Sequence, residues 1–178
     1  MPENRLAVFI DGSNLFYSAR ALGFDVDFKR LLAWINQHGS LLRAYYYATL
    51  YEDRDYQGTR PLLDWLDYNG FTVKTKPIKE YDNGSGRQKT KRNISIDIAV
   101  DAIEVAPRVD KLMLFSGDGD LRRFVETIQR HGVLTTVVST IRTPTPMLAD
   151  ELRRQVDEVI DLEDIRLQIG RVNKSSPG

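Results

Sequence analysis

Two acids, Asp118 and Asp120, stand behind four consecutive apolar residues in the stretch Leu-Met-Leu-Phe-Ser-Gly-Asp-Gly-Asp at 112–120. A short unbroken apolar run followed by glycines reads as a strand buried on both faces that opens into a tight turn. Carboxylates at the carboxyl end of such a strand stand where open α/β sheets bind ligands. The first apolar run, residues 6–10, ends in the same manner, in Asp11-Gly12-Ser13-Asn14. If the two strands are neighbours, Asp11 and Asp118 face each other across the end of the sheet. Two carboxylates ~4 Å apart repel by about 4 kcal/mol at an effective dielectric of about 20. A hard divalent cation that prefers oxygen ligands, Mg²⁺ or Mn²⁺, removes that cost. Asp97 and Asp101 add a third acidic element; four residues apart, they share a face in either a helix or a strand. A plainer role exists for each: Asp120 as the cap of the following helix, Asp97 and Asp101 as the solvated face of an amphipathic one.

The elements that must hold these acids alternate. Strands are expected at 6–10, 41–50, 71–75, 112–115 and 133–139, with a short sixth at 159–160. Helices are expected at 15–21, from Asp27 through Ile35, at 61–68, 94–106, 121–130 and 148–154. Ser13 or Asn14 is the expected cap of the first helix and Asp27 of the second. Residues 51–60 read as a polar loop, and 76–93, with turn chemistry at 82–86, as a mobile loop. Strands alternating with helices imply βαβ units, right-handed crossovers and a mostly parallel sheet with helices on both faces. In the order 3-2-1-4-5, strands one and four lie side by side, and the gap between them is the switch point where Asp11, Asp118 and Asp120 share one cleft. His38 and His131 each close a helix before a glycine, which suits the helix dipole better than catalysis.

A chain of 178 residues suggests one domain, taken as 1–170 with 171–178 as a disordered tail. It has no cysteine, which excludes disulfides, thiol catalysis and cysteine-ligated zinc. No stretch approaches the ~18 apolar residues of a membrane helix. The first apolar run is five residues long and ends in an acid, unlike a secretory signal, so a cytoplasmic location and no membrane partner are expected.

The segments Val8-Phe9-Ile10-Asp11-Gly12-Ser13-Asn14, the helix bearing Asp97 and Asp101, and Phe115-Ser116-Gly117-Asp118-Gly119-Asp120 occur in that order. Together they resemble the NYN domain, a branch of the PIN-like nucleases, in its bacterial LabA-like group. The resemblance covers roughly residues 6–162. It implies a Rossmann-like, PIN-like sheet, a carboxylate cluster holding Mg²⁺ or Mn²⁺, and metal-dependent ribonuclease activity that hydrolyses RNA phosphodiester bonds. By motif position the acids of the site fall on Asp11, Asp118 and Asp120, with Asn14 as a polar neighbour. The metal ligands expected on this basis are Asp11, Asp118 and Asp97. In the third segment the first acid of the family's pattern falls on Ser95, with Asp97 two residues on, about 200° round a helix. That departure makes a catalytically weakened RNA-binding or regulatory module the second reading. A third, a haloacid-dehalogenase-like phosphatase, rests on Gly117-Asp118-Gly119-Asp120 alone, because that class needs an acid where Ser13 stands.

The net charge is zero, so the bulk charge does not point to nucleic acid. Its distribution does. Residues 74–93 carry seven basic side chains against Glu80 and Asp82. A run of this kind can neutralise phosphates, with Lys89, Lys91 and Arg92 as the expected contacts. Arg142, after the fifth strand, and Ser95 are expected to touch a phosphate oxygen. RNA, single-stranded or structured, is the expected partner, and a homodimer is compatible with the sequence.

Overall fold

The computed structural model describes residues 4–51, 56–78, 80–82, 84, 87–89 and 93–172. The chain runs β1 (Arg5–Asp11), α1 (Gly12–Ala21), α2 (Phe28–Ile35), β2 (Ser40–Tyr51), α3 (Tyr56–Tyr68), β3 (Phe71–Ile78), β4 (Glu80–Asp82), β5 (Arg87–Lys89) and α4 (Ile94–Val105). It continues through β6 (Lys111–Phe115), α5 (Arg122–Arg130), β7 (Leu134–Ser139), α6 (Asp150–Gln155), β8 (Glu158–Asp161) and α7 (Leu162–Ile169). Six strands form one parallel sheet in the order β3-β2-β1-β6-β7-β8. With the hairpin β4-β5 set aside, this is the expected 3-2-1-4-5 order extended by the short sixth strand.

Residues Leu6 to Ile10 have no exposed surface, because β1 is central and covered twice. Leu6, Val8 and Ile10 point into a core shared with Leu15 of α1, Trp34 of α2, Leu66 of α3 and Ile165 of α7. Ala7 and Phe9 point into the opposite core with Ile98 of α4, Phe124 of α5 and Leu152 of α6. The alternation of one strand thus supplies both layers.

Three local expectations give way. The cap of α1 is neither Ser13 nor Asn14: the helix begins at once after β1, and the Asp11 carboxylate accepts from the Asn14 backbone N–H at 3.2 Å. The expected polar loop at 51–60 ends early, because α3 starts at Tyr56 and carries Pro61 inside it. Proline there gives up one ladder hydrogen bond, and Leu62, Leu63 and Leu66 hold the helix to the core. The expected loop at 76–93 holds the end of β3 and an antiparallel pair, Glu80 opposite Lys89 and Asp82 opposite Arg87. A polar stretch shows no hydrophobic period that would announce such a hairpin. Residues 173–178 of the expected tail lie outside the described residues.

The edge pair β7–β8 is tied by one carboxylate. Asp157 accepts from the Thr135 N–H at 2.8 Å and from the Thr135 hydroxyl at 3.0 Å. Burial pushes this acid up, but the Thr135 and Gln129 hydrogen bonds outweigh it and hold the carboxyl below its ordinary range. An acid lowered by folding stabilises the native state above its unfolded value of about 3.9, and that contribution fades as pH falls through the folded value. Asp157→Asn is therefore expected to melt below the parent at pH 7 and together with it near pH 2. A melting difference of the same size at both pH values would assign the effect to shape rather than charge.

Candidate active site

The gap between β1 and β6 is the switch point: from it, consecutive strands run outward in opposite directions. Ile10 pairs with Phe115, so the residues that follow, Asp11 and the 116–120 turn, emerge side by side. Beyond this point β2 and β3 continue. Asp11 is level with Tyr47, whereas the β2–β3 pairing runs on to Tyr51 and Ile78. The two longer strands therefore wall the cleft on one side.

Asp118 is held from three directions. Its backbone N–H donates to the buried Ser116 hydroxyl at 3.2 Å, and one carboxylate oxygen accepts from the Asp120 N–H at 3.0 Å. The other oxygen accepts from the Ser95 hydroxyl at 2.5 Å. Ser95 is itself buried in the first turn of α4, where the Asn93 side chain caps its N–H at 3.0 Å. Glycine is required at 117, because a β-carbon there would lie 1.7 Å from the Met147 carbonyl oxygen. The same contact brings the loop after β7 onto the turn, where the Ala149 N–H donates to the Gly117 carbonyl at 2.9 Å. Gly117→Ala must push one backbone off the other. It is expected to cost about 1–3 kcal/mol, in line with overpacked sites, and to lower the melting temperature by several degrees. An unchanged melting curve would show that the 147–149 loop does not support the turn.

Asp11 is partly buried, and burial is the main cause that pushes its carboxyl above the ordinary range. The Asn14 and Ser13 backbone N–H groups act in the opposite sense, and the charge of Asp118 pushes it up further. The two acids therefore feel each other. Beside the next residue, Gly12, lies Tyr46, 6% exposed, whose hydroxyl would be only 2.5 Å from a β-carbon on Gly12. Burial, with the Asp11 charge second, pushes the Tyr46 phenol up to about 12, so it stays neutral.

The other expected site residues divide. Asn14 adjoins Asp11 through its backbone, and Ser95 adjoins Asp118. Asp120 is exposed at the rim and caps nothing; its N–H is instead capped by Asp118. Asp97 forms an ion pair with Lys76 of β3. Asp101 accepts from Lys74 at 2.8 Å and from the Tyr47 hydroxyl at 2.7 Å. Burial first, and Asp101 second, push the Tyr47 phenol far up. These contacts turn the Asp97–Asp101 face of α4 toward β3, whereas Ser95 faces β6. Arg142 is occupied by Asp164 at 2.6 Å, with Asp161 at 4.0 Å. Lys89 lies in β5, while Lys91 and Arg92 lie outside the described residues. Residue types alone did not single out Ser116 or Tyr46 as neighbours of the acids. The only prior sign of Ser116 was its place inside the motif at 115–120.

Among the described residues no three acidic or histidine side chains converge closely enough to hold a metal ion. The Asp118 carboxylate meets the Ser95 hydroxyl, and its charge reaches the Asp11 carboxylate; all three groups are oxygen donors. Mg²⁺ is commonly held by one or two carboxylates with the remaining positions filled by water. An acid destabilised by burial and by a like charge is what such a cation relieves. The donor set therefore fits one hard divalent ion.

The model of the NYN domain family matches residues 5–163. The chain belongs to the NYN domain family. It is 38% identical over 178 residues to the low amplitude and bright protein LabA of Synechococcus elongatus, covering 98% of this chain and 92% of that one. A crystal structure of a Vibrio parahaemolyticus protein of unknown function superposes with a TM-score of 0.74 at 29% identity, over 91% of this chain and 94% of that chain. The similarity to LabA thus runs along almost the whole length of both chains. Membership makes the chain a ribonuclease-type or regulatory module, with nucleic acid as the substrate that the family implies. Among the described residues no helix is long and apolar enough to cross a membrane.

Proposed function

We propose that this NYN domain is a divalent-metal-dependent ribonuclease of low turnover, whose working acids are Asp11 and Asp118. The observation that carries the reading is the Ser95–Asp118 hydrogen bond: the acid in the turn after β6 is held by a hydroxyl where the family pattern has an acid. Asp11 and Asp118 would hold the ion, with Ser95 and Asp120 beside it. When bound, Mg²⁺ or Mn²⁺ supplies an activated water and charge stabilisation at the phosphorus. The chain's own residues set the rest. Ser95 fixes the Asp118 carboxylate, and Asn14 and Ser13 fix Asp11. Tyr46, close to Gly12, stays neutral.

The second reading, an RNA-binding or regulatory module without turnover, is favoured by the pairing of Asp97 with Lys76 and of Asp101 with Lys74. These pairs neutralise Asp97 and Asp101 of α4 and leave Asp11 and Asp118 as the strong ligands of the cleft. End-labelled single-stranded RNA incubated with Mn²⁺ separates the two. Slow cleavage that EDTA abolishes supports the enzyme. Binding without cleavage at a large excess of protein supports the regulatory module.

Two further outcomes follow. Millimolar Mn²⁺ is expected to raise the melting temperature, because a ligand at 100 times its Kd adds about 2.7 kcal/mol to the native state. Unchanged melting would contradict a metal site. Reversing Lys89, Lys91 and Arg92 to glutamate is expected to weaken RNA binding and to lower the slope of log affinity against log salt. At roughly 0.7 per phosphate contact, the slope falls by about 2. An unaltered slope would assign that basic run to solvation alone.

A further inference from the structure

Helix α1 leaves the cleft with Ser13 and Asn14 at its rim and presents two aromatic rings to solvent one turn further on. Phe16 is 50% and Tyr17 58% exposed, while Leu15, Ser18 and Ala19 of the same helix are buried. The two rings meet edge to face, with centroids 5.3 Å apart. The exposed Arg20 guanidinium lies over Phe16, 5.9 Å from its centroid. Among the described residues no carboxylate pairs with Arg20, in contrast to Arg142 and Arg166. At a rise of 1.5 Å per residue, Tyr17 stands about 4.5 Å along the axis from Asn14, whose N–H is bonded to Asp11. The patch and the acids are thus parts of one rigid junction.

The core uses neither ring, and a patch of two rings is small for a protein interface. Its composition suits nucleotides: flat faces for bases, and an uncompensated guanidinium for a phosphate. We propose that Phe16, Tyr17 and Arg20 form a stacking platform for unpaired bases of the RNA strand whose backbone enters the Asp11–Asp118 cleft. The proposal rests on the nucleic-acid reading of that cleft and narrows its substrate to single-stranded RNA. In a duplex the base faces are already stacked and are not offered to a side chain. Stacking tolerates any base, so little sequence preference is expected.

The test is the affinity of the full chain for a 12-nucleotide oligouridylate in EDTA at low salt, where metal-dependent cleavage is off. Phe16→Ala and Tyr17→Ala are each expected to weaken binding roughly 5- to 100-fold, the range seen per stacked base. Tyr17→Phe is expected to bind like the parent, because the ring face is kept. An abasic strand of equal length is expected to bind the parent and both alanine variants equally weakly. Melting temperatures within a degree or two of the parent's would show that the variants are folded. Alanine variants that bind the oligouridylate like the parent overturn the platform and leave the cleft reading standing. A parent that binds no RNA overturns both. Loss of affinity for the abasic strand in the alanine variants, or a change of sedimentation in the free chain, also overturns the platform, the latter by making the rings a self-association face.

Discussion

Asp118→Asn is expected to abolish metal-dependent cleavage of RNA, by about 100-fold or more, and to remove the stabilisation by Mn²⁺, with little loss of folding stability. The three contacts of Asp118 survive the change. An asparagine oxygen can still accept from the Asp120 N–H, the Ser95 hydroxyl can rotate to suit the amide, and the backbone bond to Ser116 is untouched. What is lost is one of two charged donors. Changing even outer partners of a metal ligand costs 10–100-fold, so loss of the ligand itself costs at least as much. The metal-free variant should be no less stable than the parent, because the charge that pushes Asp11 up has gone. Cleavage at the parental rate would remove Asp118 from the chemistry.

Ser95→Asp is expected to act in the opposite direction. Ser95 is 5% exposed and touches Asp118, so an acid there brings a third carboxylate to the pair. Without metal the new charge is costly: at ~4 Å and an effective dielectric of about 20 the repulsion from Asp118 is about 4 kcal/mol. With metal the same charge is attractive. The variant should melt well below the parent in EDTA, regain much of the difference in Mn²⁺, bind Mn²⁺ at least tenfold more tightly and cleave RNA faster. Asp97→Ala should have the smaller effect, because Asp97 is engaged with Lys76. If Ser95→Asp changed neither affinity nor rate while Asp97→Ala abolished cleavage, Asp97 would be the third acid and the regulatory reading would lose its ground.

The layout of the fold was legible because its central strands are apolar throughout. Leu6–Ile10 and Leu112–Phe115 can be buried only between two helical layers, and the acids that end them had to emerge at the same edge. The parallel order followed from the alternation of elements. The hairpin of β4 and β5 escaped because its polar stretch shows no hydrophobic period. The early start of α3 escaped because Pro61 reads as a helix start and forms part of the helix interior here.

At the site, spacing could place Asp97 and Asp101 on one face of α4 but could not say which way that face turns. Lys74 and Lys76, alternate residues of β3, decide it by drawing both acids to the sheet edge. Arg142 illustrates the same limit. Its position after β7 was evident, but its engagement with Asp164 depends on α7, which the chain reaches 20 residues later. Sequence order says little about such long-range ion pairs, because either partner has several oppositely charged residues to choose from.

The central claim is that Asp11 and Asp118 together hold one divalent ion at the switch point. Its most direct test is anomalous scattering from crystals of the full chain grown or soaked in Mn²⁺. The predicted result is one anomalous peak within about 2.0–2.3 Å of a carboxylate oxygen from each of Asp11 and Asp118, next to the Ser95 hydroxyl and remote from the Lys76–Asp97 pair. A crystal saturated with Mn²⁺ that shows no peak between those two acids, or one centred on Asp97, would contradict it.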